Sequence, residues 1–511
     1  MFQPLIRAAA ALALLICAPL AAQQPAAPIT PADMMRHIER LASDEFQGRA
    51  PGTEGERLTI NYIAEQFRSR GLEPAGVGDG WFQPVRLAER RAGSAETGWT
   101  ANGAAIPFEG GEILLIGKEA SETIADAPVI FAGHGVRLPA RGIDQLAGAD
   151  FHGAVALILA SGPEVAGFPS LAERIAMVTQ AGARAVIAIT ERDPSAGSSR
   201  GIVRLDSEIR PDVSGAISLA AAQRLIAAGG GSFERLLNEQ PGSSFRAVAL
   251  PLRASMTVTT SVTRFTSNNV IGRLRGSGTG SATGSGGQSL LYLGHWDHFG
   301  ICRPEGTADR ICNGAVDNAS GIAMMIEVAG RLAGQPRPPR DMLFLATTSE
   351  EEGLLGAEYF AAHPVVPLAS IVAAINMDTV AIHPAGEPVA ILGRGLPELD
   401  SAIEATVAQM GRRLDSDDEA APFIRRQDGW MLTRAGVPTV MVGGSFSNMA
   451  LLFAFLEGPY HKPEDQIGGR ILLDGATEDA NLLVALGRRL ADPATYQRPE
   501  AAAAPAAEEA E

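Results

Sequence analysis

The residue types able to do chemistry concentrate in the C-terminal half of the chain. A short apolar run, Ser289 to Leu293, ends at Gly294 and delivers His295-Trp296-Asp297. Asp317 follows in Gly314-Ala315-Val316-Asp317-Asn318-Ala319-Ser320-Gly321, just ahead of a segment with helical periodicity. Glu350 and Glu351 come directly after the apolar run 342–347, and Asp378 after the run 371–377. His461 lies in a later loop, Tyr460-His461-Lys462-Pro463-Glu464-Asp465. Taken one at a time, each has an ordinary explanation. Acids at 350–352 complement a helix dipole in a first turn, Asp317 can cap a helix, Asp378 can belong to a turn, and His461 can sit on the surface. As a set they follow successive buried strands, and open α/β sheets bind ligands outside the carboxyl ends of their strands. Two imidazoles and three carboxylates are a donor set that suits zinc. Five such side chains, one of them a carboxylate able to bridge, suit two ions roughly 3.5–4 Å apart.

The elements that must position these groups follow from the periodicity. Apolar strands at 289–293, 342–347, 371–377 and 437–443 alternate with helical patterns at 319–332, 356–362, 399–410 and 474–490. This predicts an α/β fold with a mixed, mostly parallel central sheet covered by helices on both faces. Ahead of it, Thr30-Pro31-Ala32-Asp33 marks a helix start running to about Ala42, with Thr as N-cap and Pro in the first position. Thr53 and Glu56 predict a capping box, followed by Ile60, Ile63, Ala64 and Phe67 at helical spacing up to Gly71. From 88 to 251 the texture changes to short apolar strands and many glycines, with a helix at 170–181. This block reads as a separate β-rich module inserted into the first domain, and its His134 and His152 as structural or exposed. Residues 276–288, rich in Gly, Ser and Thr, read as a flexible loop.

The bulk composition narrows the function classes. The chain has 511 residues, 46% hydrophobic and 20% charged, enough apolar material for a large core in more than one domain. A net charge of −16 excludes the basic footprint of a nucleic-acid binder. The first residues read as an export signal: Arg7, then an almost wholly apolar Ala8 to Ala18, then small residues with cleavage after Ala22. Cys17 raises a lipoprotein alternative, disfavoured by the large Ile16 before it. No other stretch predicts membrane insertion. The expected location is therefore periplasmic or extracellular, and the expected division is signal 1–22, linker 23–29, first domain part 30–87, insertion 88–251, main domain 252–497 and a disordered acidic tail 498–511. In an exported chain, Cys302 and Cys312 are expected to form a disulfide that stiffens their loop; the alternative is two free thiols.

These motifs, in this order, resemble the two-zinc exopeptidases of the bacterial leucyl aminopeptidase and aminopeptidase Y type, with glutamate carboxypeptidase and glutaminyl cyclases as relatives. The insertion, through DFHGAVALILASG and AERIAMVTQAGARAVIAIT, resembles the protease-associated (PA) domain, a non-catalytic module. The resemblance implies a zinc exopeptidase core and two zinc ions per chain. Asp317 would bridge them, with His295 and Asp378 completing one site and Glu351 and His461 the other. Glu350 would be the general base. Asp297 would not be a ligand; its carboxylate would accept a hydrogen bond from the far nitrogen of His295 and fix its tautomer. A cis peptide between Asp317 and Asn318 is also implied. The implied activity is removal of N-terminal residues from peptides; the alternatives are a carboxypeptidase or dipeptidase of the same fold and a glutaminyl cyclase-like enzyme. One stretch departs from the pattern. Where relatives often carry Ser-Asp-His, this chain has Gln427-Asp428-Gly429-Trp430. The region is expected to line the substrate pocket. Arg426 and Trp430 are candidate pocket residues or, equally, a surface charge and a core packing residue.

Overall fold

The computed structural model describes residues 27–163, 168–195, 201–238, 245–278 and 287–499. The expected export signal, most of the Gly/Ser/Thr loop and the tail beyond 499 lie outside the described residues. Arg498, at the expected start of the tail, donates to the carbonyls of Leu368, Ile371 and Gly436.

A single mixed sheet runs through the molecule. At one end, strands Thr439–Gly443, Ile371–Asn376, Ser289–His295 and Asp341–Thr347 lie parallel and in that order. Every residue of the last three is buried, which is why they read as continuous apolar runs rather than alternating ones. At the other end, Ser121–Phe131, Val155–Leu159, Ala185–Thr190 and Val213–Ser218 form a second parallel set. The strand Val248–Leu274 joins the two sets. Its end pairs with Asp341–Thr347 and its beginning with Ser121–Phe131, both antiparallel. It also pairs along most of its length with Phe82–Ala101. The expected edges of the insertion, 88 and 251, therefore fall inside two unbroken strands. Leu252, Ala254, Met256 and Val258 alternate inward to the insertion core, while Val270 and Leu274 enter the main core.

The N-terminal helices pack on the main core and close as their caps dictate. Pro31–Leu41 has a full capping box between Thr30 and Asp33. Glu54–Ser69 is capped by the Thr53 side chain. The expected second box does not close there: the Glu56 carboxylate accepts from Gly52 N at 2.6 Å and from Asn268 at 3.1 Å, because Asn268 on the joining strand lies within its reach. A buried network ties both helices to the following helix, Gly321–Ala333: His37 and Arg70 meet Glu327 at 2.9 and 2.6 Å. No described helix is long and apolar enough to cross a membrane.

Candidate metal centre

The ligand-type side chains converge beyond the carboxyl ends of the parallel strands. His295 ends its strand, Asp378 follows Ile371–Asn376, and Glu350 and Glu351 follow Asp341–Thr347. His295 Nε2 stands 3.3 Å from Asp317 Oδ1 and 3.5 Å from Asp378 Oδ1. His461 Nε2 stands 3.4 Å from Asp317 Oδ2 and 3.1 Å from Glu351 Oε2. The two oxygens of Asp317 thus face two different imidazoles, each of which also meets a further carboxylate. Groupings by mutual distance alone mix the pairs, placing Glu351 with His295 and Asp317, and Glu350 with His295 and Asp378. The orientation of the Asp317 carboxylate separates them and is the better guide, because each oxygen carries its own lone pairs.

The donor set fits divalent cations. His461 Nε2 is buried and makes no hydrogen bond, although two carboxylate oxygens lie within 3.4 Å of it. A ring nitrogen aimed between oxygens rather than at one of them suits a shared ion. The imidazoles and carboxylates perturb one another strongly. Burial, the largest influence on His461, works against its charge, but Asp317 and Glu351 outweigh it and raise its pKa to about 9. His295 is raised well above the ordinary range, with burial opposed by Glu350, Asp317 and Asp378. Burial also acts most strongly on Asp317 and pushes it up, yet its contacts with the two imidazoles hold it well below the usual carboxylate range. Glu350 moves the other way: burial, reinforced by Glu351, Asp428 and Asp378, pushes it well above.

Further groups hold these side chains in place. The Asp465 carboxylate accepts from the backbone N–H of Val316 and Asp317 at 2.9 and 3.0 Å. The buried Arg49 guanidinium donates to the carbonyls of Leu41, Trp296, Asn313 and Gly314 at 2.6–2.9 Å. Gly314 has φ +56°, and a Cβ there would stand 2.1 Å from the Asp317 carbonyl. The Asp317–Asn318 peptide is cis. Asn318 Nδ2 donates to the carbonyls of His295 and Met377 at 3.3 and 3.0 Å, bracing two neighbouring strand ends. Cys302 and Cys312 are joined as a disulfide, and Cys312 Sγ lies 3.6 Å from the His461 carbonyl.

Two residues, Asp297 and Asp428, stand differently from expectation. The His295 Nδ1 contact is to the carbonyl of Asp297, at 3.2 Å, while the nearer carboxylate oxygen is 3.9 Å away. The Asp297 side chain instead accepts from Glu350 N at 3.1 Å, and burial raises its pKa to about 8. The turn after the strand carries the carboxylate past the ring and under the Glu350 backbone. Asp428 is 1% exposed and accepts from the Thr347 hydroxyl. Trp430 lies under the Arg425 guanidinium, 5.7 Å from its ring centroid, and Arg426 covers Phe423 at 5.5 Å. One residue in contact with a candidate ligand's side chain was missed from the sequence. His298, fully buried, sets Nδ1 2.6 Å from Glu351 Oε1. The only signal was its place three positions after His295.

Fold and donor geometry together define an α/β domain of the metallopeptidase type. Residues 269–478, which span every candidate ligand, match the family model described as Peptidase family M28. Curated sequences called "Probable zinc metalloprotease", from Pyrenophora tritici-repentis and Pyrenophora teres f. teres, are each 40% identical over 67 residues. Those matches cover 13% of this chain and only 15% and 14% of the relatives' own lengths. Among solved structures, the aminopeptidase from Aneurinibacillus sp. strain AM-1 superposes with a TM-score of 0.53 at 19% identity, over 92% of this chain and 96% of that one. BSAP, a zinc aminopeptidase from Bacillus subtilis, gives 0.47 at 18% identity, over 93% and 98%.

Proposed function

We propose that the protein is a zinc-dependent exopeptidase that removes N-terminal residues from peptides. The observation that carries this reading is the Asp317 carboxylate, with one oxygen beside His295, which Asp378 also meets, and the other beside His461, which Glu351 also meets. On this reading two zinc ions are held, one by each set, with Asp317 shared. When bound, such ions polarise a peptide carbonyl and lower the pKa of a water from about 15.7 toward 7. Glu350 is the general base. It sits 4.0 Å from His295 Nε2, beside the donor set. Its carboxylate takes a proton from the attacking water and returns it to the leaving amine. Asp297 fixes where Glu350 stands, through the Glu350 N–H.

The printed names of the matched proteins support zinc and an amino-terminal direction. The Cys302–Cys312 disulfide supports an exported location, and the insertion is read as a PA-like module. Incubation with a mixed peptide library, with and without chelator and read by mass spectrometry, tests the proposal. Chelator-sensitive loss of N-terminal residues is expected. Trimming from the carboxyl end, or pyroglutamate formation without hydrolysis, would replace it with a carboxypeptidase or a cyclase.

A further inference from the structure

The five candidate donors are not held alike. His295, Asp317, Glu351 and Asp378 stand at strand ends or ahead of a buried helix, with side chains at most 13% exposed. His461 comes from a run of turns, has φ +60°, and its side chain is 34% exposed. A residue other than glycine keeps such a backbone only where its surroundings enforce it. Much of that support comes from the loop between His295 and Asp317. The Phe299 ring meets the His461 ring edge-on, with centroids 4.5 Å apart. Cys312 Sγ lies 3.6 Å from the His461 carbonyl. Arg303 meets Glu464, three positions after His461, at 3.1 Å.

Within that loop the disulfide is the fastening. Gly300–Ile301 pairs with Ile311–Cys312 over two residue pairs only, too few for a ribbon to hold by itself. The bond from Cys302 to Cys312 closes the ribbon across ten positions, and such a closure limits the conformations open to the enclosed chain. The two ends of the loop are fixed separately. Arg49 donates to the carbonyl of Trp296 at one end and to those of Asn313 and Gly314 at the other. The bond is also within reach of a reagent, because Cys302 is exposed while Cys312 is buried. A thiolate attacks Cys302 Sγ, the S–S bond breaks and Cys312 leaves. The second thiol of a dithiol reagent then displaces Cys302, and the two protons of the dithiol end on the two cysteines.

We propose that the Cys302–Cys312 bond is a redox control on the Glu351–His461 half of the metal centre. Joined, it holds His461 where a cation can be shared with Glu351 and Asp317. Opened by a dithiol, it frees the part of the loop that meets His461, while Arg49 keeps both loop ends, and with them His295 and Asp317, in place. The His295–Asp378 half keeps its own brace, the Asn318 side chain on the carbonyls of His295 and Met377. The inference rests on the two-zinc exopeptidase reading and adds its regulation: the chain gains its second ion only once its cysteines are oxidised. A small-molecule or protein disulfide supplies that step by the reverse exchange, ending as the dithiol.

Zinc content by elemental analysis and zinc affinity by chelator competition are compared in the full-length oxidised wild type and in Cys302→Ser, which opens the bond at its exposed sulfur. The oxidised wild type is expected to hold two ions. Cys302→Ser should hold one at wild-type affinity and the other roughly 10–100-fold more weakly, the scale for groups that orient a ligand. Wild type reduced with a dithiol, then freed of the reagent without air, should match the variant, and oxidised glutathione should restore its second ion. That arm decides if Cys302→Ser fails to fold. A bond that serves only the general fold would weaken both ions together. Equal weakening of both ions, or wild-type affinity for both with the bond open, overturns the proposal. An oxidised wild type that binds fewer than two ions overturns the two-zinc reading, and this inference with it.

Discussion

The two ends of the sheet obey the same packing rules and differ in what their strands present. Both have parallel strands buried between layers. In the main domain the strands stop at His295, Thr347 and Asn376, and ionisable groups follow at once. In the insertion they stop at Leu159, Thr190 and Ser218, and no cluster of donors follows among the described residues. Its two histidines stay apart: His134 packs edge-on to Phe168, and His152 is exposed beside Asp150. The sheet is therefore a neutral scaffold. Chemistry depends on the few residues after each strand and on whether buried charges there are compensated, since an uncompensated buried charge is costly. The end that carries the candidate donors invites cations, while the other end invites only packing and contact.

That contrast can be broken most decisively by removing metal. Chelation is expected to take peptide hydrolysis to background while the insertion keeps its cooperative thermal transition, followed by circular dichroism; loss of that transition would tie the two ends together. Glu350→Gln should retain zinc by elemental analysis and lose roughly 10²–10⁴-fold in kcat, the range for general acid–base catalysis. Normal turnover would remove Glu350 from the base role. Leu157→Ala, in the insertion core, should cost about 2–5 kcal/mol of stability by denaturant unfolding with zinc content unchanged; lost zinc would mean that the ends are one cooperative unit. The smallest effect is expected at His298. Removing its contact to Glu351 by His298→Ala should weaken one zinc roughly 10–100-fold in chelator competition, as for other groups that orient a ligand, and leave the first bound. Unaltered affinity for both ions would reduce His298 to packing.

The five candidate donors stand out in the sequence because each follows an apolar run or a turn-rich loop, and a buried strand that ends in an acid or an imidazole is a short-range signal. The two disulfide cysteines were legible for a similar reason, being close in sequence. The groups that orient the donors were not. Arg49 lies 268 positions before Asp317 and Asp465 lies 148 after it, yet both act on the same turn through backbone atoms, which carry no sequence signature. Asp297 was legible as a member of the site but not in its contact, because one backbone turn decides whether its carbonyl or its carboxylate meets the ring. The edges of the insertion were placed where composition changes, whereas the strands Phe82–Ala101 and Val248–Leu274 continue through them. Alternating strands give no turn signal when their inward face passes from one core to another.

By itself the sequence determined the α/β alternation, the caps of the first helices and the inventory of donors. These depend on residue type and on spacing within a few positions, and local sterics and periodic burial enforce them. Only the tertiary structure decided that His295 faces one oxygen of Asp317 and also meets Asp378, that His461 faces the other and also meets Glu351, and that His298 backs Glu351. Those facts depend on where separate strands end relative to one another, and that is fixed by sheet register and core packing over hundreds of residues.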